Sequence, residues 1–324
     1  MPDQNHHVKI TERVSTRLKF KQLRLLVAID KHRSILHAAT ALNMSQPAAT
    51  KLLKDLENDF DVKLFSRTNR GVIPTEFGEA LVRHGNLILT QISHAAQELD
   101  DINDGLGGRV VIGTLLTASA KLLPNTIEKI HKARPNVSIV VRDGTNDLLM
   151  PMLHTGELDM VLGRLAEYRH RDGLAQEVLY HEKVVIVGRN NHPLTSNKNT
   201  SFEQLADQNW ILPPLPTTLR RQIEKEFFDR GLPPPSIAVE CVSFLTIRSL
   251  LARTDMLCVL PFNVVEYEII HGLLATIDCD LNISHGPAGV SYRSFDLLSP
   301  AALEFLNELK IQAKTMSNIG GLSE

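Results

Sequence analysis

No apolar run in this chain approaches the roughly 18 residues that a membrane-spanning helix requires. The first ten residues, M-P-D-Q-N-H-H-V-K-I, lack the apolar core of a secretion signal. Both absences lead us to expect a cytoplasmic protein with no membrane partner. Cysteine is scarce: Cys241, Cys258 and Cys279 stand far apart without C-x-x-C spacing, which fits a reducing compartment and argues against structural zinc. The 13 histidines show no ligand spacing on a helix, so no metal is expected. Catalytic signatures are missing as well. There is no P-loop, no G-x-G-x-x-G, no G-x-S-x-G and no H-E-x-x-H, so neither an enzyme nor a cofactor is expected. What remains is ordinary for a globular chain, 43% apolar and 22% charged, and 324 residues suffice for two or three domains.

The strongest pattern that is present runs from Ser34 to Gly78. In S-I-L-H-A-A-T-A-L-N-M-S-Q-P-A-A-T-K-L-L-K-D-L-E, two short helical patterns meet at Asn43-Met44-Ser45. Ser34 is placed to cap the first, with Ile35, Ala38, Ala39 and Leu42 on one face. Ser45 is placed to cap the second, whose first turn holds Pro47, tolerated where N–H groups lack intrahelical partners. Ala39 and Ala49 are small enough for a close crossing, and Leu52, Leu53 and Leu56 supply a buried face. Gln46, Ala48, Thr50, Lys51 and Lys54 are left on the rim. Gln, Thr and Lys near a helix N-terminus suit the DNA major groove. The segment K-L-F-S-R-T-N-R-G-V-I-P-T then reads as strand, basic turn Asn69-Arg70-Gly71 and strand, a wing placed to touch phosphates. The expected DNA-facing set is Ser34, Ser45, Gln46, Pro47, Ala48, Thr50, Lys51, Lys54, Arg67 and Arg70.

The order of these residues resembles the N-terminal domain of LysR-type transcriptional regulators. That pattern has a Ser before A-A, then S-Q-P, L-E, L-F-x-R and T-x-x-G. Here stand Ser34, Ala38-Ala39, Ser45-Gln46-Pro47, Leu56-Glu57, Leu64-Phe65, Arg67, Thr75 and Gly78. Asp61 departs from the pattern, standing where the family usually has Gly; it must take a left-handed cap at some cost. The resemblance implies double-stranded promoter DNA and a small-molecule effector as partners. It also implies self-association as a homodimer or homotetramer, with RNA polymerase a further candidate partner.

Charge is uneven in the direction this requires. Residues 1–75 hold 13 Lys/Arg and 7 Asp/Glu, a balance of +6, against 22 and 30, a balance of −8, in the remainder. Residues 1–17 read as a polar extension and 18–75 as the winged helix-turn-helix. Residues 76–108 read as a linker helix and hinge, with Thr75 as N-cap. The apolar positions Phe77, Leu81, His84, Ile88, Ile92, Ala95, Leu99 and Ile102 step by 3 and 4, close to a heptad seam. A helix about 42 Å long with so narrow a stripe needs a partner, so Leu81, Ile88, Ile92 and Leu99 are expected to hold a dimer.

From Arg109 the pattern alternates strand and helix, which indicates parallel α/β layers. The resemblance continues there through I-G-T, L-P, G-E-L-D and V-L-P. It implies a two-lobed effector domain similar to periplasmic binding proteins over 109–324. Lobe I is expected at about 109–180 and 285–318, lobe II at about 181–284. Ligands in such sheets sit beyond strand C-termini. That rule selects Thr117, Ser119, Thr145 and Asn146 in lobe I and Pro213, Ser243 and Phe244 in lobe II. Any one of the hydroxyls also suits a helix cap, and the resemblance itself places effector contacts at Thr117 and Thr145. Arg164 is either a counter-charge for an anionic effector or the ion-pair partner of Glu167 or Asp159. A small organic carboxylate, aromatic ones included, is the expected effector, with a neutral sugar the alternative. Aromatics form only 5% of the chain, leaving Phe244, Trp210 and Tyr168 to stack on a sugar ring. A solute carrier fits the second half alone and is opposed by the DNA-binding head. Cys258, in Leu257-Cys258-Val259-Leu260, reads as a small core residue and not as half of a redox pair.

Overall fold

Leu25, Leu26 and Ile29 are buried on one side of the first helix, α1 (Phe20–His32), and form the floor of the N-terminal core. The computed structural model describes residues 17–320 except 70, 104–106, 166–172, 182, 216, 282, 284–286 and 295–296; side chains at 97, 98, 101, 102 and 317–320 are also outside it. Arg70, Glu167, Tyr168, the side chain of Ile102 and the extension 1–16 therefore lie outside the described residues. The chain divides into two compact units, Met1–Asp100 with His154–Glu157, and Asp101–Leu153 with Leu158–Glu324. Among the described residues no helix is long and apolar enough to cross a membrane.

In the first unit, α2 (Ile35–Ala41) and α3 (Gln46–Phe60) meet through Ala38, Ala39 and Ala49, all essentially inaccessible to solvent. Ser34 Oγ accepts from the His37 N–H and Ser45 Oγ from the Ala48 N–H, both at 3.4 Å. Asp61 takes the left-handed C-cap of α3 at φ 55°. The wing is an antiparallel pair, β1 (Phe65–Thr68) and β2 (Gly71–Pro74), with Thr68 opposite Gly71. Three motif residues fasten it. Glu57 Oε1 accepts from the Leu64 N–H at 2.9 Å and the Phe65 N–H at 3.4 Å. Thr75 Oγ1 donates to the Lys63 carbonyl at 2.6 Å and accepts from the Gly78 N–H at 3.2 Å. A Cβ on Gly78 would lie 2.0 Å from the Leu64 carbonyl oxygen, so only glycine fits there.

The long helix α4 (Glu76–Asn103) sets Gly85 against Val27, Leu26 and Leu23 of α1 and buries Val82 in the same core. Its other face leaves Phe77, His84, Ile88, Ile92, Ala95 and Leu99 exposed. Leu81 departs from the expected seam: it is half-buried and packs on the head's own core. It stands four residues before Gly85, on the side of the helix that meets α1.

The second unit holds two five-stranded sheets. The first has the order β4-β3-β5-β12-β6, from β3 (Arg109–Thr114), β4 (Ser138–Asp143), β5 (Met160–Arg164), β6 (Ala175–His181) and β12 (Pro287–Tyr292). The second has the order β11-β7-β10-β8-β9, from β7 (Val184–Arg189), β8 (Asn209–Leu212), β9 (Ser236–Glu240), β10 (Leu257–Pro261) and β11 (Leu274–Ile277). Neither sheet is purely parallel, which corrects the expectation from strand–helix alternation. β12 runs antiparallel to β5 and β6, and β7 antiparallel to β10 and β11. β7 follows β6 after two residues and β12 follows β11 after nine, fewer than the dozen or so a parallel crossover needs, so nothing forces them parallel. The first sheet is covered by α6 (Leu122–Ala133) and α12 (Pro300–Gly320), whose Leu122, Phe305, Leu306 and Leu309 join Val110, Ile112 and Val290 in one core. The second packs Trp210, Ile223 and Phe227 on one side and Val187, Ile247 and Leu251 on the other.

Candidate functional site

In the head, the exposed side of α3 carries Gln46, Pro47, Ala48, Thr50, Lys51 and Lys54, and Arg67 is exposed on β1. Ser34 and Ser45 are occupied as caps. The exposed face is a short polar and basic strip held rigid from beneath by Ala49, Leu53 and Leu56. Its hydrogen-bonding groups are of the kinds that reach base edges and phosphates.

In the second unit a cavity of about 750 Å³ opens where strand ends from both sheets converge. Thr114 ends β3, and the short helix α5 (Leu116–Ser119) follows at once, bringing Thr117 and Ser119 to the cavity. Asp143 ends β4, and Gly144, Thr145 and the first turn of α7 (Asn146–His154) continue the wall. Arg164 is the last residue of β5. From the second sheet come Pro213 after β8, Thr217 and Thr218 at the start of α9 (Thr218–Asp229), and Ser243 and Phe244 at the start of α10 (Phe244–Leu251). Gly163 explains how β5 comes so close to this wall. With φ 133°, it presents no Cβ to Leu115, whose own Cβ would stand 2.6 Å away, while the Leu115 N–H donates to the Leu162 carbonyl at 2.8 Å.

The polar groups of the wall differ in how they are occupied. Thr117 lies inside α5 and caps nothing. It is 6% exposed, and among the described residues its Oγ1 has no hydrogen-bond partner. Asn146 donates through Nδ2 to the Arg164 carbonyl at 3.3 Å, and its buried Oδ1 is likewise unpartnered. Ser119, by contrast, donates to the Leu115 carbonyl at 3.1 Å, so its proton is already committed within α5. Ser243 precedes α10 without a side-chain cap bond and accepts from Thr246 Oγ1 at 3.2 Å. Arg164 Nη1 donates to Gln222 Oε1 at 2.7 Å, a partner on α9 that sequence inspection did not name. The rest of the lining is mainly apolar, including Leu116, Leu148, Leu219, Val242, Ile247 and Val264.

Several lining residues escaped the sequence reading. Asp143 and Asp147 follow from the strand-end rule applied strictly, one as the last residue of β4 and the other in the first turn of α7. Arg221 carries no local signal beyond its place in the first turn of α9. Cys258 is both a core residue of β10 and part of the lining, with Cys241 beside it. Burial above all, with Cys241 nearby, pushes the Cys258 thiol far up, so it remains protonated. Burial together with Asp278 and Asp280 pushes Cys279 up to about 11. Trp210 is not in the cavity, a correction to its offer as a stacking ring. Its side chain is fully buried edge-on to Phe227, and its indole N–H donates to the Leu205 carbonyl at 3.0 Å. A ring with one donor is held wherever the core satisfies that donor.

Comparison with known proteins accounts for both regions. Residues 103–314 match the family model of the LysR substrate binding domain, and residues 20–79 that of the bacterial regulatory helix-turn-helix protein, lysR family. The chain is 32% identical over 303 residues to the HTH-type transcriptional regulator GbpR of Azospirillum brasilense, covering 93% of this chain and 89% of that protein. It is 30% identical over 281 residues to the HTH-type transcriptional regulator PcaQ of Agrobacterium fabrum, with 87% and 90% covered. Among solved structures, CbnR, a LysR family transcriptional regulator, superposes with a TM-score of 0.60 at 18% identity, over 91% of this chain and 99% of that one. Full-length CbnR complexed with its target DNA gives 0.59 at the same identity, over 91% and 100%. These likenesses carry the fold.

Proposed function

Because this chain belongs to the LysR family of bacterial helix-turn-helix regulators, and so binds promoter DNA and carries a domain for a small effector, we propose that its effector is a small organic carboxylate. The observation that carries this reading is the unpartnered Thr117 Oγ1, buried in the wall of a mainly apolar cavity that also holds the Arg164 guanidinium. A buried hydroxyl without a partner costs about 1–3 kcal/mol, and a ligand oxygen that takes its hydrogen bond recovers that cost. The apolar lining suits a hydrocarbon or aromatic body, and guanidinium pairs with carboxylates in a two-pronged geometry.

A neutral sugar is the second reading, favoured by Asp143 and Asp147 in the same lining, since ionised carboxylates accept hydrogen bonds from sugar hydroxyls. The protein acts where promoter DNA is, in the cytoplasm. It works as a dimer or a pair of dimers joined through the exposed stripe of α4, because one head reads only half an operator and two linked heads gain in effective concentration. Effector binding biases the two lobes toward one arrangement and so alters the spacing of the heads.

Calorimetric titration of the full-length protein with benzoate, succinate, glucose and galactose tests the reading, repeated on Thr117→Val and Arg164→Ala. Acids should bind, and both substitutions should weaken them. Acid binding untouched by Arg164→Ala removes the counter-charge, and normal binding by Thr117→Val as well removes this cavity as the site.

A further inference from the structure

Asn146, the first residue of α7, has the two ends of its side-chain amide committed differently. Its Nδ2 donates to the Arg164 carbonyl at 3.3 Å. A carbonyl only accepts, so this bond holds the amide in one orientation; turned over, Oδ1 would face a second lone-pair oxygen. Oδ1 therefore stays an acceptor at the cavity wall, and it is buried with no hydrogen-bond partner among the described residues. Asp143, the last residue of β4, lines the same stretch of wall, and a carboxylate likewise accepts without donating. Thr117 is the complement, a hydroxyl donor whose Oγ1 has no partner among the described residues. The helix that carries it is pinned. Tyr180 donates its hydroxyl to the Thr117 carbonyl at 3.1 Å, and Leu116 packs on a core of the second sheet. A ligand that completes both residues must offer an acceptor at one point and a donor at another. A bare carboxylate on a hydrocarbon body offers acceptors alone.

We propose that the effector is a hydroxylated carboxylate and that Asn146 selects it: Asn146 Oδ1 accepts from a ligand hydroxyl, while Thr117 Oγ1 donates to a carboxylate oxygen. The inference rests on the carboxylate reading of the cavity and adds a required hydroxyl. Selection follows from the asymmetry that governs any buried polar group. A ligand that packs against Oδ1 without a donor seals the oxygen away unpaired, whereas a hydroxyl completes its bonding. A hydroxyl also brings one donor to one neutral acceptor and leaves no charge to compensate. An ammonium would bring three donors and a full charge against a lining that is mainly apolar, where an incompletely paired cation is costly. No covalent step is involved, and the bond from Asn146 to the Arg164 carbonyl stays intact throughout.

The test is calorimetry on the full-length protein with matched probes: benzoate against meta- and para-hydroxybenzoate, and succinate against malate. In at least one series a hydroxylated acid should bind roughly ten- to hundredfold more tightly than its parent, the range for pairing an otherwise unpaired buried group. Asn146→Ala should close that gap. Meta- and para-fluorobenzoate, which fill nearly the same space and cannot donate, should bind as benzoate does. Parent and hydroxylated acids that bind the wild-type protein equally in both series overturn the required hydroxyl and leave the carboxylate reading intact. A loss in Asn146→Ala shared equally by parent and hydroxylated acids overturns selection by Asn146 in favour of a general effect on the wall. Fluorobenzoates as tight as the hydroxybenzoates, or aspartate tighter than malate, overturn the hydroxyl as the donor. If no acid binds, or only galactose does, the carboxylate reading falls and takes this inference with it. Should Asn146→Ala fail to fold, the wild-type comparison of hydroxybenzoate with fluorobenzoate decides alone: a gap supports the proposal and equal affinity overturns it.

Discussion

Leu64 gives its backbone N–H to the Glu57 carboxylate at 2.9 Å, so the last turn of α3 carries the entry to the wing. The same oxygen receives the Phe65 N–H, and Lys63 pairs with the other at 2.7 Å. Glu57→Ala should strand two buried donors, at about 1–3 kcal/mol for each. Glu57→Gln keeps an acceptor and should lose less. Urea unfolding followed by a probe in the head reads the difference, and an unmoved midpoint in Glu57→Ala would show that the wing is held by other means.

Base reading and phosphate holding separate by their response to sequence and salt. Gln46→Ala should reduce affinity for a selected operator by roughly 1–3 kcal/mol and leave random DNA nearly unaffected. Arg67→Ala should weaken both alike and lower the slope of log affinity against log salt by about one. Fluorescence anisotropy at several salt concentrations measures both. Equal loss on operator and random DNA for Gln46→Ala contradicts its assignment to bases.

Self-association through α4 is best probed at Ile88 and Ile92, both exposed on the outer stripe. Ile88→Lys with Ile92→Lys should place charge in the seam and yield monomers that bind DNA weakly. Leu81 is unsuitable for this purpose because it packs on the head core. Light scattering that finds the wild-type mass in the double variant removes the stripe as the interface.

Acid should weaken the first sheet through Glu177. Burial pushes its carboxyl up, but hydrogen bonds from Lys310 at 2.8 Å and from Tyr292, with the Lys310 charge, outweigh burial and hold it below the ordinary 4.5. A depressed carboxyl contributes stability above its unfolded value and loses it as pH falls through the lower folded value. The melting temperature should therefore drop as pH falls below 4.5, and Lys310→Met should flatten that drop. Parallel acid slopes in the two proteins would exclude Glu177 as a source.

The head was legible in the sequence because its signals are local. Ser34 and Ser45 cap helices that begin one residue later, Pro47 sits in a first turn, and Thr75 and Gly78 act across three residues. The cavity wall was legible where it follows strand ends, as at Thr117, Asn146 and Ser243. Gln222 was not, since its meeting with Arg164 depends on how two lobes pack and leaves no periodic trace. β12 shows the same limit. Its P-A-G-V-S-Y offers one β-branched residue and a glycine, yet it lies between β5 and β6, and a Cβ on Gly289 would stand 1.9 Å from the Glu177 carbonyl oxygen.

The position of β12 also sets a timetable for synthesis. The first sheet needs a strand from Pro287–Tyr292 in its interior and a helix from Pro300–Gly320 on its face, so it stays incomplete until nearly the whole chain has emerged. The head's own core draws on residues 18–82, all emerged once α4 ends at Asn103. At bacterial elongation rates of about 5–20 residues per second, roughly 10–40 seconds separate a finished head from a finished first sheet. During that interval the ribosome carries a complete DNA-binding head beside an unfinished substrate-binding domain.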